Sequence, residues 1–418
     1  MSRRPPTGPT VLSFTLVMSA TGCEAPPDAG VASGAQIEDS AGIVIVSNPR
    51  PAPDSRLGWQ VGSEPVVSIG TVEGGEDFQL YRIDDALKLR DGRIVVANGG
   101  SHQLLVFDAD GNYLTAWGQK GEGPGDFGSS YGGDGLGPPG VFWVEAWPSD
   151  SLAICHGTYS GGNHLLDVWD DQGKHGRTVN LARSDDIWLC RDVLQNRAIL
   201  ASRPLGPLFA PPDPSEAGGF ARADREFSIL AADGSSSVSL GPRPGNEMFW
   251  LLGGDNPLVL MDPPFARTLV WEAWRDLVIV SPNDHYEIRA YRTDGSLARI
   301  VRRGRDVRSP TQTDLDDYRA ARSPNDALKA VPLPESFPAF SAIEVDLLGH
   351  LWVREYNLPG EDDRALWTVF DPEGVALGFI ETPPGLVIYE IGEDYILGKA
   401  EDELGVEYVQ MWGLDRGM

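Results

Sequence analysis

The sequence predicts an all-β fold, a six-bladed β-propeller, from three observations. The chain is rich in turn residues, since its 418 residues include 49 Gly and 33 Pro. Short runs of β-branched and aromatic residues are joined by tight turns that contain glycine. One such turn recurs, with glycines at positions 111, 173, 234, 295 and 374, spaced 62, 61, 61 and 79 residues apart. A recurrent all-strand unit of this length is typical of four-stranded propeller blades.

The stretch from Asp91 to Phe127 shows the repeated unit most clearly. Its three strand-like runs are Arg93–Asn98, Gln103–Asp108 and Tyr113–Gly118. Such runs, joined by short turns, form an antiparallel meander. A small isolated sheet is only marginally stable, because it exposes both faces to water. The unit therefore needs copies of itself to pack against.

The same stretch resembles an NHL-type repeat. The matching residues are Val96, Ala97, His102, Val106, Phe107, Gly111, Gly121, Gly123, Pro124, Gly125 and Phe127. Leu277–Val301 repeats the match through Asn283-Asp-His285, and the segments 340–356 and 392–416 resemble bacterial lipoproteins described only as six-bladed β-propellers. The resemblance covers about residues 42–416 and implies the fold, whereas it implies little about function.

Six pairs of runs predict the first and second strands of six blades. The predicted first strands are Tyr81–Leu89, Val141–Trp147, Asp186–Val193, Phe265–Trp274, Phe340–Leu347 and Gly385–Ile391. Each is followed by a second strand that begins near Arg93, Ser151, Asn196, Asp276, His350 or Asp394. Gly42–Asn48 is a further strand, and we expect Pro65–Gly70 to complete the last blade and close the ring, which would cover an exposed edge.

Two insertions interrupt this pattern. Arg203–Glu226, rich in Pro, Gly and Ala, lies between the second and third strands of the third blade. The second insertion, at about 309–340, begins with Thr311-Gln-Thr-Asp314, which is typical of a helix N-terminus. It predicts one helix or two short helices before Pro332.

The N-terminus has the features of a lipoprotein signal peptide over residues 1–22. Arg3 and Arg4 precede the short apolar run Val11–Ala20, and Ala20-Thr-Gly-Cys23 resembles a bacterial lipobox. We therefore expect lipidation at Cys23, a flexible tether over residues 23–41, and a propeller over 42–418. Ordinary secretory cleavage is the alternative. Either way the protein is expected in the bacterial cell envelope, and a lipid anchor facing the periplasm or exterior would be its one membrane contact.

Charge and cysteine content limit the classes of partner. The formal net charge of −27 excludes nucleic acid as an expected partner, because phosphate binding requires clustered Lys and Arg. Two further cysteines, Cys155 and Cys190, fall on neighbouring predicted blades. Export permits a disulfide between them, but we favour two buried free thiols.

The predicted site lies on the face formed by the loops between blades and between second and third strands, around the channel mouth. His102 and His285 occupy equivalent loop positions, and they either form a metal-binding pair or hold the loops by hydrogen bonds. Arg354, Glu355 and Glu401 lie at the ends of other second strands. Loop carboxylates such as Glu361, Asp362 and Asp363 could hold calcium or could be surface groups. The Cys and His spacing of a structural zinc site does not occur in the sequence.

Two functions remain open. The first is a non-catalytic scaffold, monomeric and membrane-tethered, that binds a protein, peptide or glycan. It needs no cofactor, although Ca²⁺ is a candidate. The second is a lactonase-like hydrolase or lyase that works in the channel with Ca²⁺ or Zn²⁺. We favour the scaffold, because the sequence contains no nucleophile elbow, phosphate loop, H-E-x-x-H or Rossmann fingerprint.

Overall fold

The computed structural model describes residues 34–71, 75, 79–121, 123–128, 140–157, 164–183, 186–205, 219–253, 256–261, 263–304, 308–321, 326–359 and 365–417. Within these residues the fold is all-β, with two short helices. None of the helices in this part of the chain is long and apolar enough to cross a membrane.

Apart from one separate two-stranded pair, the described strands fall into six sheets that follow one another along the chain. The three N-terminal strands are β1 (Gln36–Ser40), β2 (Ile43–Asn48) and β3 (Gln60–Ile69). The first sheet contains β4 (Ile83–Lys88), β5 (Ile94–Asn98), β6 (Gln103–Phe107) and β7 (Tyr113–Trp117). The second contains β8 (Gly140–Trp147), β9 (Ser151–Gly157), β10 (His164–Asp170) and β11 (His175–Asn180). A separate pair, β12 (Ala182–Arg183) and β13 (Asp186–Ile187), follows.

The remaining four sheets repeat the same antiparallel order. The third contains β14 (Leu189–Val193), β15 (Ile199–Pro204), β16 (Phe220–Leu230), β17 (Ser237–Gly253) and β18 (Asn256–Met261). The fourth contains β19 (Leu269–Trp274), β20 (Leu277–Pro282), β21 (Glu287–Tyr291) and β22 (Leu297–Arg303). The fifth contains β23 (Phe340–Val345), β24 (Leu351–Glu355), β25 (Ala365–Phe370) and β26 (Ala376–Thr382), and the sixth β27 (Val387–Ile391), β28 (Tyr395–Glu401) and β29 (Glu407–Asp415).

The recurrent turn has a common local cause. In the first sheet the carboxylate of Asp108 accepts hydrogen bonds from the backbone N–H groups of Asp110 and Asn112. Gly111 has a φ of 86°, in the left-handed region that favours glycine. Asp170 with Gly173 and Asp371 with Gly374 repeat this geometry. The recurrence of this turn in the sequence therefore marks the recurrence of the sheets along the chain.

The core consists of six apolar clusters, and each lies between two neighbouring sheets. The cluster between the first and second sheets includes the fully buried Val95, Phe127 and Val141. The cluster formed by the sixth and first sheets includes Ile69 of β3 and Ile94 of β5. Because each sheet buries both faces against its neighbours, the sheets stabilise one another in the way a single sheet cannot.

The N-terminal segment runs along the outer edges of three sheets. β2 pairs in parallel with β22, and β1 pairs with β2 at the edge of the fourth sheet. The chain then contacts β26 of the fifth sheet through hydrogen bonds between Leu57 N–H and the Phe379 carbonyl and between Phe379 N–H and the Ser55 carbonyl. Finally β3 pairs antiparallel with β29 as the fourth strand of the sixth sheet. That is the sheet in which Pro65–Gly70 was expected.

Two expectations are corrected by these elements. Gln36–Ser40, predicted as part of the flexible tether over 23–41, forms β1, because its backbone can pair with β2 although every side chain is exposed. Phe220–Glu226, predicted as insertion, belongs to β16, because it pairs with the unusually long β17. The β17–β18 hairpin was not expected at all. The insertion near 309–340 contains α1 (Gln312–Ala320) and α2 (Asp326–Ala330), and Thr311 caps α1 through a capping box with Asp314.

Candidate functional site: the carboxylates of the first strands

Each of the six first strands carries an acidic residue at or near the same level, and β4 carries a second one, Asp84, beside Asp85. The six residues are Asp85, Glu145, Asp192, Glu272, Glu344 and Glu390. In five sheets this residue pairs with the second or third residue of the second strand, as Glu344 does with Trp352 and Glu145 does with Ala153. In the first sheet Leu87 occupies that level, and Asp85 lies two residues nearer the start of the strand. We call these six residues the carboxylate ring.

The ring residues are held by backbone groups of neighbouring sheets. Asp85 accepts a hydrogen bond of 2.8 Å from the N–H of Val144 in the second sheet. Asp192 accepts one of 2.5 Å from the N–H of Ala273 in the fourth sheet. Glu390 accepts one of 3.2 Å from the N–H of Lys88 in the first sheet. These hydrogen bonds therefore link the first strands of adjacent sheets. They also place the carboxylate groups between those strands.

Burial changes the proton affinity of the whole ring. Burial raises the pKa of Asp85 to about 8, against the lowering effect of the Val144 and Ala86 N–H groups. Burial, followed by the charges of Asp85 and Asp192, raises the pKa of Glu344 to about 8. The pKa of Asp192 is raised to about 6 by burial. The ring therefore carries groups that titrate close to neutral pH.

The other three members shift in the same direction. Burial and then the charge of Asp192 raise the pKa values of Glu145 and Glu272 well above the ordinary range. Burial raises the pKa of Glu390, although the Tyr395 hydroxyl and the Lys88 N–H stabilise its charged form. Glu145 and Asp192 are also hydrogen-bonded to each other. Two carboxyl groups can share a hydrogen bond only if one of them holds a proton.

A second polar group lies where the first and sixth sheets meet. Lys399 Nζ lies 2.9 Å from Glu407 Oε1 and 3.1 Å from Glu401 Oε1. Glu407 also accepts a hydrogen bond of 2.9 Å from the N–H of Ile83. Asp84 precedes Asp85 in the chain, and its Oδ2 lies 3.8 Å from Arg82 Nη2. Burial raises the pKa of Asp84 to about 6. This cluster of opposite charges is adjacent to the ring along β4.

The two predicted histidines have different surroundings in this structure. His102 Nδ1 lies 3.0 Å from the Phe127 carbonyl oxygen, and burial lowers the pKa of its imidazole. His285 is exposed. The geometry of His102 is that of a side chain that holds a loop, which was the alternative considered for it.

The other predicted site residues are also separated. Glu355 forms a two-point ion pair with Arg303, and the Arg303 side chain is fully buried. Arg354 is half-buried, and Glu401 is exposed beside Lys399. Apart from the chain neighbours Arg354 and Glu355, no described contact joins any two of His102, His285, Arg354, Glu355 and Glu401. Cys23, Glu361, Asp362 and Asp363 lie outside the described residues.

The structure joins Cys155 and Cys190 in a disulfide, with Cα atoms 6.3 Å apart. This corrects the preference for two free thiols, although both residues are buried as expected. Cys155 lies on β9 of the second sheet and Cys190 on β14 of the third, and these sheets share an apolar cluster. The bond therefore connects two neighbouring sheets.

Sequence reasoning missed the carboxylate ring. The first strands were located, but their acidic residues were not compared with one another. The signal was an acid near the end of five runs, in VEAW, RDVL, WEAW, IEVD and YEIG. The sequence analysis considered acidic residues in loops, whereas the carboxylates that the fold brings to equivalent positions are on strands.

Comparison with known proteins supports the fold. Residues 71–130 match a family model, DUF5128, described as a 6-bladed beta-propeller. No curated protein matches the sequence. The family match and the repeated sheets identify the fold as a β-propeller.

Several solved structures are similar at low identity. An exported protein of Bacteroides fragilis is 10% identical over 89% of this chain and 99% of its own, with a TM-score of 0.47. A member of the duf4221 family from Bacteroides vulgatus is 9% identical over 85% and 98%, with a TM-score of 0.48. A gluconolactonase of Xanthomonas campestris is 16% identical over 94% and 97%, with a TM-score of 0.37. At these identities the likenesses carry no inference about the site.

Proposed function

We propose that this protein is a non-catalytic binding propeller of the bacterial cell envelope whose carboxylate ring binds a cation. The observation that carries the proposal is the recurrence of an acid in each first strand, of which Asp85 and Asp192 are buried and the other four are partly exposed. Buried carboxylates without matching positive charge either take up protons or bind a cation. Ca²⁺ is the cation that oxygen ligands of this kind favour.

The fold proposed for this function is a six-bladed ring closed by β3. Its support is the pairing of β3 with β29 and the apolar cluster that the sixth and first sheets share. In such a ring the six first strands surround a central axis. A cation held by their carboxylates would then fix the positions of the six blades relative to one another.

The ligand proposed for the loop face is a protein, peptide or glycan. Support comes from the polar cluster of Arg82, Asp84, Lys399, Glu401 and Glu407, which offers both signs of charge at one place. Lipidation at Cys23 would hold this face outside the cytoplasm. The arrangement suits recognition of polar partners, because charged groups beside a channel mouth are partly shielded from water.

The test is calcium binding by the full chain. We expect isothermal titration to show binding of Ca²⁺ and the melting temperature to rise with its concentration. Replacing Glu272 or Glu344 with Gln removes one charged oxygen without changing the volume, and each change should weaken binding by about tenfold or more, or about 1.4 kcal/mol.

Glu381→Gln is the matched control, since Glu381 is a half-exposed carboxylate that pairs with Arg56 on the outer surface. It should bind Ca²⁺ as the unchanged protein does. If Ca²⁺ produces no heat and no thermal shift, or if Glu381→Gln weakens binding as much as Glu344→Gln, the ring does not bind the cation.

A second candidate function uses the same groups. Asp192, with a pKa of about 6, and Glu344, with a pKa of about 8, lie in the range suited to general acid and base catalysis. A hydrolase or lyase acting on lactones in the channel would need both. Turnover of an aliphatic lactone that is lost in both Asp192→Asn and Glu344→Gln but kept in Glu381→Gln would replace the scaffold proposal. The absence of turnover in the calcium-loaded protein would leave the scaffold as the function.

A further inference from the structure

A histidine lies against the disulfide that joins the second and third sheets. His164 is the first residue of β10, and its partner across the sheet is Gly157, two residues beyond Cys155 on β9. One ring nitrogen of His164 and the sulfur atoms of Cys155 and Cys190 all lie within 4.8 Å of one another. All three side chains are buried, with exposed fractions of 0% for Cys155, 3% for His164 and 4% for Cys190.

The surroundings keep these three side chains in place. The His164 ring stacks on Phe142, with centroids 5.2 Å apart and an interplanar angle of 20°. The N–H of Leu181 donates a hydrogen bond of 3.0 Å to the His164 carbonyl oxygen. On the other side, the Trp143 indole N–H donates a hydrogen bond of 3.5 Å to the Cys190 carbonyl oxygen. The three side chains thus belong to strands, Cys155 to β9, His164 to β10 and Cys190 to β14.

Two thiolates and one imidazole are a donor set for a soft metal ion. Thiolate sulfur favours Cu⁺ and Zn²⁺, and imidazole nitrogen binds both ions. A disulfide by itself does not require an imidazole at this distance, whereas a metal ion held by two sulfurs gains a third ligand from it. A buried site also protects the thiolates from oxidants in solution.

We infer that the reduced form of this protein binds one soft metal ion, Zn²⁺ or Cu⁺, through Cys155, Cys190 and His164, and that disulfide formation abolishes the site. Reduction by a dithiol adds two electrons and two protons, giving two thiols, while the dithiol becomes a disulfide. Metal binding then releases both thiol protons, because the sulfurs bind as thiolates. The site is independent of the carboxylate ring and of the proposed function.

The experiment uses the full chain with Cys23→Ser, in which Cys155 and Cys190 are the remaining cysteines. The protein is reduced without oxygen, offered Zn²⁺ or Cu⁺ in separate samples, passed through a desalting column and assayed for metal. We expect one equivalent of at least one ion in the reduced protein and none bound at this site in the oxidised protein. A comparison of the Zn²⁺ sample with the Cu⁺ sample shows which ion the site prefers.

His164→Gln should weaken binding of that ion about tenfold or more while the sulfurs remain, and Glu381→Gln should not change it. If His164→Gln fails to fold, as judged by circular dichroism, Cys190→Ser takes its place and should abolish binding. If the reduced protein unfolds, the metal must restore the folded spectrum, since binding and folding are then coupled. Reduced protein that retains no metal, or a folded His164→Gln variant that binds as tightly as its parent, would overturn the inference.

Discussion

Arg303 and Glu355 form a buried ion pair between the fourth and fifth sheets. Arg303 Nη1 lies 2.6 Å from Glu355 Oε1, and Arg303 Nη2 lies 2.7 Å from Glu355 Oε2. The hydroxyl of Thr368 donates a further hydrogen bond of 2.7 Å to Glu355, and the Arg303 guanidinium lies 4.0 Å from the centre of the Tyr286 ring. Glu355, predicted as a ligand-binding residue, therefore pairs with the Arg303 guanidinium, which has no access to solvent.

Removing the Glu355 charge should destabilise the fold. Glu355→Gln leaves the buried Arg303 without its carboxylate, and breaking such a pair costs about 3–5 kcal/mol. Glu381→Gln breaks the half-exposed pair with Arg56 and should cost about 0–1 kcal/mol. Urea unfolding of both variants measures the difference. Equal midpoints for the two variants would show that Glu355 has no special structural role.

Raising the pH should lower the stability in the absence of divalent cations. The pKa values of Asp85 and Glu344 are raised to about 8 in the folded protein, so the folded state binds more protons than the unfolded state between about pH 4 and pH 8. The free energy of unfolding therefore falls as the pH rises through this window. Urea midpoints at pH 5, 7 and 9 check the sign.

Glu344→Gln isolates the contribution of one ring residue to this pH dependence. Because this variant lacks one group with a raised pKa, its free energy of unfolding should fall less steeply with pH between pH 5 and 8. The difference in slope should correspond to up to about one proton. Glu381→Gln should keep the full slope. A Glu344→Gln slope equal to that of the unchanged protein would show that Glu344 titrates normally.

Asn48 should be important for the attachment of β2. Its side-chain nitrogen donates a hydrogen bond of 2.9 Å to the Gly374 carbonyl, and its oxygen accepts one of 2.9 Å from the Ala376 N–H. Asn48→Ala leaves buried backbone groups without partners, which costs about 1–3 kcal/mol. Asn112→Ala, at an exposed turn, serves as the control and should cost less. Thermal melting of the two variants makes the comparison.

Lipidation at Cys23 remains to be tested by fractionation. Cells that express the unchanged chain should retain it in the membrane fraction, because two signals or a lipid pair anchor a protein stably. Cys23→Ser should release the protein into the soluble periplasmic fraction or the medium. Soluble behaviour of the unchanged chain would favour ordinary secretory cleavage instead.

The sheets were predictable because their signals are local. Turn glycines such as Gly111 and the runs that flank them placed the six strand pairs, and the second strand expected near Ser151 begins at that residue. The destination of β2 was not predictable, since its run of Val and Ile does not identify the sheet it joins. Gln36–Ser40 lacks an apolar alternation, so nothing in its residues predicted a strand.

The site was less predictable than the fold because it is assembled from isolated residues. Glu272 and Asp192 are 80 positions apart in the chain, and only the repetition of the sheets brings them to equivalent positions. The Cys155–Cys190 bond has the same origin, since it joins two sheets. Residues that were prominent in the sequence, such as His102, have local structural roles.

The path of the N-terminal segment determines how the protein would respond to mechanical load. A pull on residue 34 reaches β1 and β2 at the edge of the fourth sheet before it reaches the contacts with Phe379, and only then β3. The outer pairs would rupture in turn and dissipate the force along the way. A tethered chain could thus lose its first two strands under tension while the sixth sheet keeps its fourth.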